Sequence, residues 1–567
     1  MTTSDLPAAD AAPGSPRSTL LAVRDLTVAY RMGDREVEAV HGIDFEIGAG
    51  EVVAVVGESG SGKSTIAHAI INLLPPNARV TSGSIHLEGE QLSGRPEKHW
   101  RSVRGRRIGL VPQDPSLSLN PVRRVGPQVA EPLRIHRLAT RAEASARAIE
   151  LLEMAGITHP HERARQYPYQ FSGGMRQRAL IATALAARPQ LVIADEPTSA
   201  LDVTVQKQVL DHLDHLADEF GTSILLITHD LGVAADRADR IIVMKDGSIV
   251  DAGPTAQVIS SPTAEYTRQL IAASPDLGSH ARRSVATAKR GLRDDDRIVT
   301  VSNLVKAFPL PPSGRRGGEK EVIAVDDVSL HIRRGETLAV VGESGSGKST
   351  LARVVLRLEE PTSGTVEFDG EDITNLGASA LRQLRRRFQL VYQSPYDSLN
   401  PRLTVAQLIG EPLRSLGEGD AASHLMKVRQ LVEQTALPQA ILARYPDELS
   451  GGQRQRVAIA RALALDPEFL VLDEAVSALD VSVQAQILDL LAQLQHERGL
   501  SYLFITHDLG VVAEIADRVA VMRQGRVVEM GTAERILTAP TDPYTQALIA
   551  AIPGQGHHVR RRGATPA

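Results

Sequence analysis

Two segments of this chain are identical, Gly57-Glu58-Ser59-Gly60-Ser61-Gly62-Lys63-Ser64-Thr65 and Gly342-Glu343-Ser344-Gly345-Ser346-Gly347-Lys348-Ser349-Thr350. Both follow the pattern G-x-x-x-x-G-K-[ST], whose chemistry is phosphate binding. Glycines let the backbone approach an anion closely, and successive N–H groups point at it. Lys63 and Lys348 are placed to reach the outer phosphates of a nucleotide, and the Ser64 and Ser349 hydroxyls to ligate Mg²⁺. Downstream, LVIADEP carries Asp195 and Glu196, and LVLDEAV carries Asp473 and Glu474. Each aspartate would hold Mg²⁺ through water, and each glutamate would orient and polarise an attacking water. Phosphoryl transfer to water needs mainly positioning and charge neutralisation, which a carboxylate and a metal supply. Ser172-Gly173-Gly174 and Ser450-Gly451-Gly452-Gln453 each open a helical pattern, a second kind of anion-binding N-terminus.

The elements that must position these groups are legible in the hydrophobic pattern. Each phosphate loop follows an apolar run (EVVAVVG, ETLAVVG) and opens a helical one (KSTIAHAIINLL, KSTLARVVLRL). The helix dipole would add to phosphate binding. Continuous apolar strands such as LVIAD and SILLITHD alternate with helical stretches, which predicts a mostly parallel sheet buried on both faces. Each half also predicts a β-hairpin turning at Asp246-Gly247 or Gln524-Gly525. Helix-rich stretches from about Leu92 to Tyr169 and from about Ile373 to Tyr445 predict a helical subdomain in each half. The fold class is therefore α/β, a domain-sized duplication.

At the Ser-Gly-Gly segments the chain resembles the ATP-binding-cassette (ABC) ATPases, whose LSGGQ motif is far more specific than the phosphate loop. The resemblance covers about nine tenths of the chain and adds further roles. Gln113 and Gln393 resemble the Q-loop glutamines, which complete the coordination of the metal. Asp202 and Asp480, closing Ser199-Ala200-Leu201-Asp202 and Ser477-Ala478-Leu479-Asp480, resemble D-loops. His229 and His507, in ITHD, resemble the switch histidines that contact the γ-phosphate. Tyr30 and Phe308 resemble the aromatic residues that stack on adenine. The family implies ATP and Mg²⁺ as cofactors and a head-to-tail sandwich, in which ATP closes the two halves and hydrolysis reopens them. The chain departs from the motif at Met175, where LSGGQ has Gln, and at Ala475-Val476, where the first half has Pro197-Thr198. Neither change removes a phosphate contact, metal ligand or base, so two hydrolysis-competent sites are expected.

Composition limits the alternatives. A chain of 567 residues suits two or more domains. The expected division is a tail over 1–19, a first domain over 20–273, a linker over 274–297, a second domain over 298–553 and a tail over 554–567. No apolar run approaches the roughly 18–20 residues needed to span a bilayer. Zero cysteines exclude disulfides, cysteine-bound zinc and iron–sulfur clusters. A net charge of −5 and 3% aromatic content argue against a nucleic-acid partner. The arginine runs RSVRGRR and LRQLRRRF are read as a solvated helix face or one near lipid headgroups.

Two segments narrow the family. QDPSLSLNP and QSPYDSLNP follow the Q-loop glutamines, and SPTAEYTRQLIAASP and APTDPYTQALIAAIP close the halves. Both resemble the oligopeptide/dipeptide/nickel branch of ABC importers, in which two unlike ATPases drive two membrane permeases fed by an extracytoplasmic solute-binding protein. That implies a peripheral location on the cytoplasmic face of the membrane, with the Ser-Leu-Asn-Pro stretches as permease-docking surface rather than capped turns. The alternative is a soluble tandem ABC ATPase acting on ribosomes or another macromolecular partner. Such proteins carry a long charged arm between the halves, whereas 274–297 is short. The cargo, whether peptide, glutathione, nickel chelate or antibiotic peptide, stays open.

Overall fold

The computed structural model describes residues 18–198, 201–274, 296–309, 321–417, 419–477 and 479–554. The linker and both tails expected from sequence lie outside these residues apart from their ends, as do Ser199, Ala200 and Ala478. The chain divides into two compact units, the first built mainly from elements up to Thr267 and the second from Arg268 onward.

In the first unit a six-stranded sheet runs in the order Ser248–Pro254, Arg240–Lys245, Val52–Val56, Ser223–Thr228, Leu191–Asp195 and Ile108–Val111. Five strands are parallel, and Ser248–Pro254 pairs antiparallel at the edge. The second unit repeats this with Arg526–Thr532, Arg518–Arg523, Thr337–Val341, Ser501–Ile505, Phe469–Asp473 and Phe388–Val391. The central strands read as unbroken apolar runs because both faces are covered. Successive side chains alternate between two cores. Leu470 and Leu472 pack with the helical part, whereas Phe469 and Val471 pack with a four-stranded antiparallel sheet and the helix Lys348–Val355. That smaller sheet has Arg297–Pro309 between Glu321–Arg333 and Ser363–Phe368, and its counterpart has Thr19–Met32 between Arg35–Gly48 and Ala78–Leu87.

The hairpins form as expected. Asp246 and Gly247 have φ of 45° and 78°, and Gln524 and Gly525 have 49° and 85°. Positive φ at both central residues matches the right-handed twist of the paired strands. The helical subdomain is shorter than the sequence pattern implies. Ile108–Val111 and Phe388–Val391 fall inside the expected ranges but are edge strands of the main sheets. The helix Glu97–Val103 packs Trp100 and Val103 into the core of the antiparallel sheet. Four-residue strands beside a short helix give too little periodicity to separate from a helical run.

Candidate active site

Each phosphate loop is set by a strand on one side and a helix on the other. All five residues of Val52–Val56 are buried, and the helix begins at Lys63. Gly62 and Gly347 lie at φ 99° and 103°. A Cβ at either would come 2.7 Å from the Ala39 carbonyl oxygen or 2.1 Å from that of Ala324. Only glycine fits a left-handed residue pressed against backbone.

Lys63 and Lys348 fold back over their own loops. The Lys63 Nζ donates to the carbonyls of Gly57 and Glu58, both at 2.7 Å. Lys348 Nζ donates to those of Gly342 and Glu343 at 2.7 and 2.9 Å. Burial pushes the Lys348 ammonium below its ordinary pKa, although the carboxylates around it pull the other way. Ser61 Oγ and Ser346 Oγ are buried in the same loops without a hydrogen-bond partner. A buried hydroxyl is costly unless something bonds to it, so this cradle fits a phosphate.

The acidic pairs stand beside the loops. Ser64 Oγ donates to Asp195 Oδ1 at 3.1 Å, and Ser349 Oγ to Asp473 Oδ1 at 3.0 Å. Burial pushes both aspartates above the usual carboxylate range despite those hydroxyls. A buried carboxylate beside a hydroxyl, costly to ionise alone, is a hard-oxygen donor set that suits Mg²⁺. Mg²⁺ takes few protein ligands and keeps waters and substrate phosphates. Among the described residues there is no group of three or more His, Cys, Asp or Glu that could hold a metal ion.

Glu196 and Glu474 sit one residue past their strands at φ 43° and 48°, a left-handed conformation uncommon for a non-glycine residue. That bend turns each carboxylate toward two partners. Gln113 Nε2 donates to Glu196 Oε2 at 2.8 Å, and His229 Nδ1 lies 3.3 Å from Oε1. Gln393 Nε2 donates to Glu474 Oε2 at 2.8 Å, and His507 Nδ1 lies 3.4 Å from it. Burial alone would raise both glutamates, but the histidine, the loop lysine and the glutamine together hold them below their ordinary value. Burial would likewise lower His507, yet Glu474 and Asp508 raise it. A carboxylate kept ionised and aimed from a fixed backbone can hold and polarise a water.

The structure thus brings Lys63, Ser64, Gln113, Asp195, Glu196 and His229 into one cluster, and Lys348, Ser349, Gln393, Asp473, Glu474 and His507 into another. Tyr30 joins the first, its hydroxyl 3.0 Å from Thr65 Oγ1. Phe308 is more than a third exposed, with Lys306 Nζ 4.8 Å from its ring centre. The Ser-Gly-Gly turns belong to the helical part of each half. Ser172 and Ser450 cap their helices by accepting from the N–H of Met175 and Gln453, each at 3.3 Å. Gln453 also returns its side chain to the Ser450 N–H at 3.1 Å, closing a capping box that Met175 cannot form. Asp202 accepts from Val205 N–H at 3.0 Å and from the Thr204 hydroxyl at 2.8 Å, and Asp480 is the N-cap of Val481–Arg498. Two further side chains reach the loops, Tyr266 and Tyr544, and the sequence marks them only by a Tyr-Thr pair repeated in the closing segments.

Residues 40–199 and 325–477 match the family described as ABC transporter. Residues 250–297 and 528–567 match the oligopeptide/dipeptide transporter, C-terminal region. The chain is 44% identical over 559 residues to the glutathione import ATP-binding protein GsiA of Salmonella choleraesuis (strain SC-B67), covering 94% of this chain and 89% of that protein. It is 46% identical over 538 residues to the peptidoglycan transport ATP-binding protein YejF of Agrobacterium fabrum (strain C58 / ATCC 33970), covering 94% and 96%. A 42% identity over 557 residues relates it to the Escherichia coli (strain K12) glutathione import ATP-binding protein, covering 94% and 89%.

Proposed function

The chain belongs to the ABC transporter family as a tandem ATP-binding protein, and from that premise we propose that it powers uptake of a peptide or related small solute through a membrane importer. ATP hydrolysis is the activity of the family. The observation that carries the import reading is the closing segment of each half, which matches the oligopeptide/dipeptide transporter C-terminal region. The named relatives are import or transport ATP-binding proteins whose alignments cover 94% of this chain. Among the described residues no helix is long and apolar enough to cross a membrane. Import therefore calls for separate permease subunits and a solute-binding protein, with this chain peripheral on the cytoplasmic face.

In this reading Ser64 and Asp195, and Ser349 and Asp473, hold Mg²⁺, with Gln113 and Gln393 nearby. Bound there, the ion neutralises charge on the phosphates. The loop amides and Lys63 or Lys348 take the β- and γ-phosphates, Lys leaving its carbonyl contacts to do so. Glu196 or Glu474 accepts a proton from water, and His229 or His507 steadies the glutamate and the γ-phosphate. Tyr30 and Phe308 stack on adenine. The Ser-Gly-Gly turns and Asp202 and Asp480 serve the nucleotide in the closed state, which hydrolysis reopens.

Permease docking is supported by the region around Gln393 of the second Q-loop. A cleft of about 740 Å³ there is lined by Arg385, Gln389, Tyr392, Gln393, Asn400 and Glu411 among others. Tyr392 and Tyr396 are 45% and 63% exposed. The asparagines themselves are used locally, Asn120 Oδ1 and Asn400 Oδ1 each accepting the N–H two residues on at 3.0 Å. The capped-turn reading therefore accounts for the Asn-Pro pairs, and docking rests on the exposed aromatics. Arginines of the runs before the two Q-loops are engaged within their own halves, Arg104 with Glu97 and Arg107 with Glu88 and Glu90 in the first, Arg387 with Asp369 and Glu468 in the second.

Affinity purification of the tagged chain from detergent-solubilised membranes tests the proposal. Co-purification of two polytopic permease subunits is the expected result. Recovery with ribosomes, or with no membrane partner, would leave the ATPase standing and end the import reading.

A further inference from the structure

After its hairpin, each half makes the same short excursion back to its phosphate loop. In the first, the buried Asp251 carboxylate accepts the N–H groups of Thr263 at 2.9 Å and Ala264 at 3.2 Å. In the second, buried Glu529 accepts from the Thr541 N–H at 2.9 Å, the Thr541 hydroxyl at 2.7 Å and the Asp542 N–H at 3.1 Å. Burial would raise the Glu529 carboxyl, but these donors hold it at about 2. A carboxylate so bonded fixes the turn that launches the terminal helix. Those helices, Glu265–Ala273 and Pro543–Ile549, carry Tyr266 and Tyr544. Leu548, Ile552 and the Tyr544 ring pack against Ala339 and Val341 of the strand that feeds the second loop.

Both phenol oxygens end on the same atom of their loops. Tyr266 Oη accepts the Glu58 N–H at 3.2 Å, and Tyr544 Oη accepts the Glu343 N–H at 3.0 Å. Lys245 Nζ and the Arg523 guanidinium lie over the two rings, 4.8 and 4.9 Å from their centres. The Glu58 N–H belongs to the same peptide plane as the Gly57 carbonyl, which receives Lys63 Nζ. The Glu343 N–H likewise shares a plane with the Gly342 carbonyl, which receives Lys348 Nζ. One planar peptide is thus gripped at its N–H by the terminal segment and at its C=O by the phosphate-binding lysine.

We propose that Tyr266 and Tyr544 are positioning residues for nucleotide binding: each terminal segment latches its own phosphate loop through this peptide plane and so fixes the loop amides and the resting place of the lysine. Without the phenol the plane loses its N–H anchor and is held at its C=O alone, so more of the loop must be ordered when the phosphates arrive, which weakens binding. The inference rests on ATP binding at these loops and is independent of any cargo or permease.

Tyr→Phe keeps the ring, its packing and its cation contact while removing the one acceptor. The test is the full chain carrying Tyr266→Phe and Tyr544→Phe together, titrated with a fluorescent ADP analogue and assayed for ATP turnover. The latch predicts nucleotide affinity about three- to tenfold weaker, as expected for losing one hydrogen bond of ordinary strength. It predicts the KM for ATP rising by a similar factor, with kcat within about twofold. Glu529→Gln, which touches no atom of the loop, should shift the KM in the same direction. A double Phe variant binding nucleotide with the parent's affinity overturns the latch. So does one whose melting temperature falls while affinity holds, since that marks packing alone.

Discussion

At the scale of single residues, the second cluster contains a pair, Glu474 and His507, whose members hold one another in a charged state. His507 and Glu474 face each other at 3.4 Å, and the contact raises the histidine pKa against the effect of burial. A histidine raised in the folded state contributes stability that is fully present below its unfolded value near 6.5 and is lost as pH rises through the folded pKa. Melting temperatures of the parent and His507→Gln should therefore differ more at pH 6 than at pH 9. Equal differences at both would contradict the pairing. The loop glycines make a steric prediction. Gly62→Ala or Gly347→Ala places a Cβ against backbone at positive φ, which should cost at least about 2 kcal/mol and abolish nucleotide binding at that loop. A nucleotide titration of each variant, with its melting curve, checks this. These residues were legible because phosphate binding demands fixed types at fixed spacing. The tyrosine contacts were not, because a phenol on a helix some two hundred positions away reaches the loop only through tertiary packing.

At the scale of elements, the two Ser-Gly-Gly helices differ in a way the sequence announces. Gln453 completes a capping box with Ser450, whereas Met175 leaves the Ser172 N–H without that return bond. Met175→Gln should complete the box and stabilise the first turn by about 0.5–1 kcal/mol, slowing amide exchange at Ser172 by about two- to fivefold. Unchanged exchange would show that the turn is held by something else. Strands and hairpins followed directly from apolar runs and turn residues. The extent of the helical subdomain did not, because Ile108–Val111 and Phe388–Val391 are short edge strands whose membership is decided by pairing with Leu191–Asp195 and Phe469–Asp473. Propensity is silent on such pairing.

At the scale of the whole molecule, duplication has kept the loop lysine, serine, aspartate, glutamate, glutamine and histidine in both halves, with matching distances in each cluster. At the motif positions the halves differ at Met175 and Gln453, at Pro197-Thr198 and Ala475-Val476, and at Tyr30 and Phe308. We propose on this basis that both sites hydrolyse ATP. The most direct measurement is steady-state ATP turnover in the presence of Mg²⁺ for the parent, Glu196→Gln, Glu474→Gln and the double variant. Each substitution preserves shape and hydrogen-bonding reach while removing the carboxylate that would take the proton. Each single variant should lose turnover in substantial part, and the double variant should fall by about a hundredfold or more while still binding ATP. Full activity in either single variant would show that its site is not required, and an active double variant would contradict the assignment of both glutamates.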